Sequence, residues 1–362
     1  MEYNITYRKK DKSIQCIISY KDENDIWKQK SKQGFKTQKE YKPWIDKIVD
    51  ELDKQIKLNK KIDPTLKDLT FKKMMDKFIA HKDLHREKTT VLTIKIANNK
   101  FTHLDDMKIT DITKADVQHC IDLMVKEGLA ISTIKANISR IKTAFNYAIE
   151  DIEIIDKNPL DKITISEDKE SEEKVKALTK SQLDNLFNKI EEPIFKLISM
   201  IAGTCGLRMG EIMGLTWDDI DLKNSTLKVD KQWKLIKEWE YGIGDVKRKK
   251  SNRTVPIPEK TLNELKAYKS LYPIHTTKRI FYHRINNGSV GTDLSKIYRK
   301  LNYDITVHDL RHTYATHLIA NGLDFKTVAQ LMGHDVQETI KTYSHVTDDM
   351  LKRATNIIEK IF

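Results

Sequence analysis

The sequence is poor in the residues that build disulfide-rich or membrane proteins. Its 362 residues include three cysteines, Cys16, Cys120 and Cys205, which form neither a CxxC metal motif nor a disulfide framework. Prolines number 7 and glycines 12, and no apolar run approaches the roughly 18 residues of a membrane helix. The start, MEYNITYRKK, lacks an apolar signal core. These absences exclude a secreted disulfide scaffold and favour a soluble protein of the reducing cytoplasm, without a membrane partner.

Acidic residues are also in deficit. The chain has 65 Lys and Arg against 53 Asp and Glu, a formal net charge of +12. A basic chain of this length indicates a polyanionic partner, and nucleic acid is the first choice. The alternative is a lysine-rich protein with no such partner. Apolar residues make up 39% of the chain, enough for the cores of two or three domains.

Residues 1–62 have the pattern of a small sheet followed by a helix. SIQCIISY and IWKQKSKQGF are rich in strand formers or alternate in part, and a turn, DEND, lies between them. The next segment has an apolar residue at every fourth position: Trp44, Ile48, Leu52 and Ile56. A small sheet can enter the major groove of DNA, and the DNA-binding candidates here are Arg8, Lys9, Lys10 and Lys12. The alternative is an α+β unit with a solvated basic face.

Residues 70–162 predict a bundle of four or five helices. Thr70 and Thr113 are start signals, and Gly128 is a stop signal. The last predicted helix, STIKANISRIKTAFNYAIE, combines an apolar face with basic side chains that would grip a DNA backbone: Lys135, Arg140 and Lys142. The charged segment 163–176 lacks aromatic residues and predicts a linker.

Residues 177–362 begin with helices, pass through the strand-rich stretches STLKVDKQWKLI and RTVPIP, and return to helices. The fold class is therefore multidomain and mainly α with small β-sheets. A β-rich amino-terminal domain precedes a helical bundle and an α+β domain.

The stretch HDLRHTYATHL places His308 and His312 on one face of a helix, the spacing of a zinc-binding pair. A zinc site of the H-E-x-x-H type uses a carboxylate base at the second position, where this chain has Asp309, and it has no cation beside the metal, whereas Arg311 lies within the pair and would repel it. A phosphate site is the better interpretation, because arginine binds phosphate oxygens in pairs. His312 and His317 are interpreted as structural, and no metal or other cofactor is expected.

A second arginine lies in GTCGLRMGEIMGL, where Arg208 precedes a helix and Glu211 is placed to orient it by an ion pair. His334 follows in LMGH, and Tyr343 comes nine residues later. Between strands lies a predicted cationic hairpin, GDVKRKKSNRTVPIP. Arginines that neutralise phosphate oxygens, a tyrosine nucleophile and a lysine acid make a metal-free set for phosphoryl transfer.

The order of these motifs resembles the pattern of the tyrosine recombinases, the phage-integrase family. The motifs are GLRMGE, VKRKKSNR, HDLR, MGH and TYSH. The resemblance covers roughly residues 175–350. Upstream, residues 70–160 are similar to the helical core-binding domain of that family. KQGFKTQKEY is similar to the arm-binding domain of integrases from mobile elements of Gram-positive bacteria.

The resemblance implies a role for each motif residue. Arg208 and Arg311 would hold the scissile phosphate, and Tyr343 would attack it to leave a 3′-phosphotyrosyl link. His308 would act as base or hydrogen-bond partner, and His334 would hold the phosphate or the tyrosine.

The general acid is the one ambiguous position. The family often has K-T-K-x-S-x-R where this chain has KRKKSNR, with Arg248 at the threonine position. Lys247 aligns with the first lysine of that pattern, and Lys249 is its rival.

The resemblance further implies double-stranded DNA attachment sites, a homotetramer on DNA and a role in the bacterial nucleoid. It leaves open a host DNA-bending factor or an excisionase as a helper. The tail after Tyr343 carries a helical stripe that packs on its own domain or docks on a neighbouring subunit: Leu351, Ala354, Ile358 and Ile361. The predicted function is integration and excision of a phage or mobile element. The alternatives are a type IB topoisomerase and a catalytically inactive DNA-binding protein.

Overall fold

The chain forms two compact units, Met1–Glu170 and Ser171–Phe362, in a computed structural model. The structure describes residues 1–10, 13–22, 25–61, 66–161, 163, 165, 176–237, 240–246, 251–284 and 286–343. Within these ranges, no helix combines the length and the apolar character that a bilayer crossing needs. Helices dominate and the sheets are small and antiparallel, which confirms the predicted fold class.

The first unit begins with a three-stranded antiparallel sheet in the order β1-β2-β3. Its strands are β1 (Tyr3–Lys10), β2 (Ser13–Lys21) and β3 (Trp27–Phe35), and α1 (Gln38–Lys61) packs on one face. Alternate strand residues meet the predicted apolar face of α1 in a core that contains Cys16, Ile18, Phe35, Ile45 and Leu52. The sheet and the helix are confirmed, but the prediction missed β1.

The strand register separates the basic residues of β1. Arg8 pairs with Gln15 and Lys9 with Ile14, so successive side chains point to opposite faces of the sheet. Ile14 packs into the core with α1, which places Lys9 on the helix side and Arg8 on the open face. Lys12 lies outside the described residues.

Four α-helices follow in the described part of the first unit, in agreement with the four or five predicted: α2 (Phe71–His85), α3 (Lys88–Asn98), α4 (Lys114–Lys126) and α5 (Ile131–Glu150). Thr70 and Thr113 are the predicted N-caps, and Gly128 takes the left-handed conformation (φ +74°) just after α4. The core of these helices is aromatic and aliphatic, with Phe71, Phe78, Phe101 and Phe145 fully buried.

The basic residues predicted on α5 do not share one face. Lys135 and Lys142 are seven residues apart and lie on the same side, whereas Arg140 lies about 140° around the axis from Lys135. Lys142 also forms an ion pair with Asp161 at 2.7 Å. The predicted linker, 163–176, falls mostly outside the described residues, and the domain boundaries stay a prediction.

The second unit is built around α7 (Pro193–Cys205), whose side chains are buried almost throughout. The other helices are α6 (Lys180–Lys189), α8 (Met209–Gly214), α9 (Glu259–Leu271), α10 (Asn287–Lys300), α11 (Val307–Ala320), α12 (Phe325–Met332) and α13 (Val336–Tyr343). The strands are β4 (Ile220–Asp221), β5 (Thr226–Val229), β6 (Lys231–Lys237), β7 (Glu240–Asp245) and β8 (Arg253–Pro256).

The strands of this unit correct the predicted cationic hairpin. β4, β5 and β8 form one sheet, and β6 pairs with β7 in another. The segment between β7 and β8 therefore connects two sheets and is not the turn of a single hairpin. The prediction failed because STLKVDKQWKLI contains two strands, β5 and β6, and because β7 was not predicted. Only β5 of that stretch pairs with β8, whereas β6 pairs with β7. Residues 247–250, with both candidate lysines, lie outside the described residues.

Candidate active site

Two glycines set the position of Arg208. Gly206 ends α7 in the left-handed conformation (φ +68°), and a Cβ there would lie 2.3 Å from the Tyr314 ring. The chain then turns so that Arg208 is the N-cap of α8. A Cβ on Gly214 would lie 2.9 Å from the backbone of Gln232, so only glycine lets α8 approach β6 this closely.

Glu211 connects two arginines. Its carboxylate accepts hydrogen bonds from the Arg208 guanidinium (2.9 Å) and from the Arg208 backbone N–H (2.9 Å). Arg253, at the start of β8, donates to both oxygens at 3.1 and 2.8 Å. Arg311 lies 3.7 Å from the same carboxylate. The predicted Arg208–Glu211 ion pair is thus part of a larger cluster of three arginines around one buried acid.

This arrangement keeps Glu211 ionised. Burial raises the pKa of the carboxyl, but the hydrogen bonds and charge of Arg253, together with the charges of Arg311 and Arg208, outweigh burial. The pKa is held at about 2. The cluster therefore has one fixed negative charge at its centre and an excess of positive charge around it.

Arg311 is completely buried. It donates to the carbonyls of Gly206 and Met332, and its Nη2 lies 2.8 Å from Nε2 of His334. Its Nε is buried with no hydrogen-bond partner among the described residues. Burial lowers the pKa of Arg311 to about 9 and the Arg208 charge adds to the effect, so the guanidinium keeps its charge at neutral pH.

His334 is positioned by the end of α12. Gly333 takes the left-handed conformation (φ +62°), and the His334 backbone N–H donates to the Ala329 carbonyl at 3.0 Å. Burial and the charges of Arg311 and Arg208 lower the pKa of His334 to about 3. The neutral ring therefore accepts from Arg311 at Nε2, and its buried Nδ1 has no partner within the described part of the chain.

The first turns of α11 carry the histidine pair. Asp309 caps this helix by accepting hydrogen bonds from the Thr306 backbone and hydroxyl, both at 2.7 Å. The rings of His308 and His312 pack edge to face with centroids 4.4 Å apart. Burial and Arg311 lower the pKa of His308, and burial and His308 lower that of His312 to about 4.

Tyr343, at the end of α13, is fully buried in a small cluster with residues of α11 and α12. Its hydroxyl lies 2.5 Å from Nδ1 of His312. Burial raises the pKa of Tyr343 to about 12, although the charge of Arg311 acts in the opposite direction. The phenol is therefore protonated and donates to His312.

These side chains surround a cavity of about 430 Å³. Its lining is mostly polar or charged: Arg208, Glu211, Gln232, Ser251, His308, His312, Gly333, His334, Glu338 and Thr342. Arg311 and Tyr343 lie behind this lining. A cavity lined by a half-exposed arginine and neutral histidines, with a buried guanidinium behind it, suits a phosphate group.

The structure thus brings together five of the six predicted catalytic residues, together with Glu211, within the second unit. Lys247 lies outside the described residues. The predicted DNA-binding residues belong to the first unit. No group of three or more His, Cys, Asp or Glu side chains with metal-binding geometry occurs in the described ranges.

Sequence reasoning missed two residues of the cluster. Arg253 was not proposed, although it lies three residues after Lys250 at the start of a predicted strand, RTVPIP. His312 was interpreted as structural, but its ring contacts Tyr343 and lines the cavity. His317 has a structural contact, with Nε2 2.8 Å from the Leu178 carbonyl.

Three family models match consecutive parts of the chain. An Arm DNA-binding domain matches residues 5–52, a Phage integrase SAM-like domain matches 70–165, and the Phage integrase family matches 176–350.

Curated relatives agree with these matches. The chain is 30% identical over 292 residues to a XerC-like tyrosine recombinase of Caldanaerobacter subterraneus subsp. tengcongensis, covering 72% of this chain and 74% of the relative. It is also 30% identical over 273 residues to the transposase of transposon Tn916 from Enterococcus faecalis, covering 67% of this chain and 65% of the relative.

Solved structures share the fold. The Tn1549 transposon integrase in complex with a circular intermediate DNA matches with a TM-score of 0.65 and 23% identity, over 80% of this chain and 99% of that one. A lambda integrase tetramer bound to a Holliday junction matches with a TM-score of 0.57 and 17% identity, over 88% and 93%. With the arginine–histidine–tyrosine cluster and the family matches together, the chain belongs to the tyrosine recombinase (phage integrase) family and is a site-specific DNA recombinase.

Proposed function

We propose that this recombinase cuts DNA by attack of Tyr343 on a scissile phosphate bound in the cavity beside Arg208. The observation that carries the proposal is the convergence of the motif residues of four separate chain segments on one cavity: Arg208, His308, Arg311, His334 and Tyr343. Arg208 is about a hundred residues from the His308–Arg311 segment in the sequence, and a fold without this chemistry has no need to bring these side chains together.

The proposed step is a transesterification. The Tyr343 oxygen forms a bond to phosphorus while the bond from phosphorus to the 5′ oxygen breaks. The phenol proton passes to a base, for which His308 is the candidate because its lowered pKa leaves it neutral. The leaving oxygen takes a proton from Lys247, with Lys249 as the rival. The product is a 3′-phosphotyrosyl link and a free 5′-hydroxyl.

The arginines would stabilise the charge that builds on the non-bridging oxygens. Arg208 lines the cavity and is held by Glu211, so its direct contact with phosphate needs little rearrangement. Arg311 contributes a buried charge next to it, and His334 holds Arg311 through Nε2. A 5′-hydroxyl from another strand would reverse the step, so the energy of the phosphodiester is conserved and no nucleotide cofactor is required.

The biological setting we infer is integration and excision of a phage or mobile element at attachment sites in bacterial DNA. The relatives from transposons and the circular-intermediate complex of the Tn1549 integrase support it. The lambda integrase tetramer bound to a Holliday junction supports a homotetramer on DNA. We further propose that the tail after Tyr343 docks on a neighbouring subunit of this tetramer. A host DNA-bending factor or an excisionase would set the direction of the reaction in the nucleoid.

The test is covalent trapping on nicked duplexes cut from the DNA that flanks the coding gene. Wild type and Tyr343→Phe are compared on denaturing gels in the presence of chelator. Phenylalanine keeps the ring that packs in the buried cluster and removes only the hydroxyl. We expect a slow-migrating adduct with wild type alone, and peptide mass spectrometry should locate it at residue 343. An adduct with Tyr343→Phe would refute the assignment.

Relaxation of a supercoiled plasmid without attachment sites separates recombination from topoisomerase activity. We expect no relaxation of such a plasmid, but exchange between two plasmids that carry the flanking DNA. Relaxation of the plasmid that lacks attachment sites would favour the type IB topoisomerase. DNA binding without any adduct, on flanking or random duplexes, would favour the inactive DNA-binding protein.

A further inference from the structure

The nucleophile of the proposed reaction is not at the surface of the cavity. His312 and Thr342 line the cavity, but Tyr343 does not, and its side chain is fully buried. The hydroxyl is hydrogen-bonded to Nδ1 of His312 at 2.5 Å. The ring of His312 thus faces the cavity and also holds the Tyr343 hydroxyl behind the cavity wall.

His312 has the environment of a neutral hydrogen-bond acceptor. Its ring packs against His308 on one side and lies 5.7 Å, centroid to centroid, from the ring of Tyr343 on the other. The nearby charges are Arg311 and Asp309, and Glu338 of α13 lies close to Tyr343. Protonation of His312 would put a second cation beside the buried Arg311, which disfavours the imidazolium form.

The two protonation equilibria agree with this geometry. The pKa of Tyr343 is raised to about 12 by burial, and that of His312 is lowered to about 4 by burial and His308. Transfer of the phenol proton to His312 in this arrangement is therefore strongly unfavourable. The contact holds a protonated tyrosine and does not generate a tyrosinate.

We propose that His312 is a positioning residue that holds the Tyr343 hydroxyl behind the cavity in the DNA-free chain, and that this hydrogen bond breaks before Tyr343 attacks. The inference rests on the proposed function, in which Tyr343 is the nucleophile. An interaction made in the resting state and lost in the transition state raises the barrier. Removal of the acceptor should therefore expose Tyr343 and speed its attack.

A pair of variants isolates the acceptor. His312→Phe keeps a planar ring for packing but has no acceptor at the δ position. His312→Asn places an amide oxygen near the position of Nδ1 and serves as the matched control. Thermal unfolding of both full-length proteins reports whether each one folds.

The first measurement needs no DNA and no activity. Tetranitromethane nitrates accessible tyrosines, and peptide mass spectrometry reads residue 343 in each protein. Tyr298, fully buried, and Tyr3, 42% exposed, are the internal references for an intact fold and for equal labelling. We expect slow nitration at residue 343 in wild type and His312→Asn, and nitration several-fold faster in His312→Phe. Equal protection in all three proteins would overturn the inference.

The second measurement is the single-turnover rate of adduct formation at saturating DNA. We expect His312→Phe to react about two- to tenfold faster than wild type, the range for one neutral hydrogen bond. His312→Asn, which keeps an acceptor, should react more slowly than His312→Phe, and the difference between the two variants should appear in the rate at saturating DNA. Loss of the adduct in His312→Phe would assign His312 to the attack itself and overturn the holding role.

These outcomes separate this inference from the proposed function. If wild type forms no adduct at all, the proposed nucleophile is wrong, while the nitration pattern still tests the hydrogen bond. If wild type forms the adduct at residue 343 and both His312 variants match it in nitration and rate, only the holding role is wrong.

Discussion

The three-stranded sheet of the first unit exposes its positive charges to water, whereas the arginine cluster of the second unit buries them. Arg8 of β1 and Lys30 and Lys32 of β3 are exposed to water. Arg253 is 6% exposed and Arg311 is completely buried, and each is tied to a carbonyl group or to Glu211. An exposed cation attracts a polyanion at little cost in stability, whereas a buried one needs partners for its charge and its donors.

This difference predicts that substitutions of cations in the two regions have different effects on function. Exposed cations act mainly through long-range attraction, so they are replaceable and their effect weakens with salt. Buried arginines act through fixed geometry, so even a lysine cannot replace them.

The largest expected effect is that of Arg311→Lys on the rate of adduct formation. Lysine cannot reach the two carbonyls and His334 at once, and it leaves the phosphate charge less well stabilised. We expect a loss of about 10²–10³-fold in single-turnover rate, as for removal of one preorganised donor. The rate is measured on the nicked duplex at a temperature where the variant is folded.

Arg279→Lys is the matched control for that comparison. Arg279 is also buried and donates to the carbonyls of Phe281 and Arg284, but it does not line the cavity. We expect it to lower the melting temperature while the adduct rate stays within about twofold of wild type. A similar rate loss in both variants would mean that the effect of Arg311 is one of folding.

The next effect in size is the pH dependence of stability that Glu211 creates. Its pKa falls from 4.5 to about 2 on folding, and a tenfold change in an equilibrium is about 1.4 kcal/mol, so the ionised carboxylate contributes about 3 kcal/mol. This contribution is complete above pH 4.5 and is lost as the pH falls toward 2. We expect Glu211→Gln to be less stable than wild type at pH 7 by about 3–5 kcal/mol.

Urea unfolding at several pH values between 7 and 2.5 measures the free energy of unfolding of wild type and of Glu211→Gln. The difference in unfolding free energy should shrink as the pH falls through this window. A constant difference would mean that the three arginines do not depend on the charge of Glu211.

The smallest effect is expected from substitutions on the open face of the three-stranded sheet. Arg8→Ala should weaken binding to the DNA that flanks the coding gene a few-fold and reduce the slope of log affinity against log salt by about 1. Lys9→Ala, on the helix side of the same strand, is the control and should change both quantities less. Titrations at two or more salt concentrations measure the slopes. Equal effects of the two substitutions would show that the open face is not the one that meets DNA.

The local features of the fold were predictable because their signals are local. Thr70, Thr113 and Gly128 mark helix ends by their own chemistry, and the Arg208–Glu211 pair lies within one helical turn. β1 was missed although Ile5 and Tyr7 alternate with polar residues and face α1.

The contacts that could not be predicted join distant segments. Arg253 and Glu211 are 42 residues apart, and His312 and Tyr343 are 31 apart. Both contacts depend on how α8, β8, α11 and α13 pack together, which no short pattern encodes. The pairing of β5 with β8 also joins distant segments, because β6 and β7 lie between them in the chain.

The two carbonyls that Arg311 binds lie at the carboxyl ends of α7 and α12, where helix dipoles are negative. Arg311, which the proposed reaction needs, therefore also joins the ends of these two helices. This sets the order in which related proteins that lose their activity can lose their catalytic residues. A copy freed from selection for recombination can replace Tyr343 with phenylalanine and keep its shape and its DNA affinity. It cannot replace Arg311 without leaving two buried carbonyls at helix ends without their donor, so the arginine should persist in folded descendants long after the tyrosine has gone.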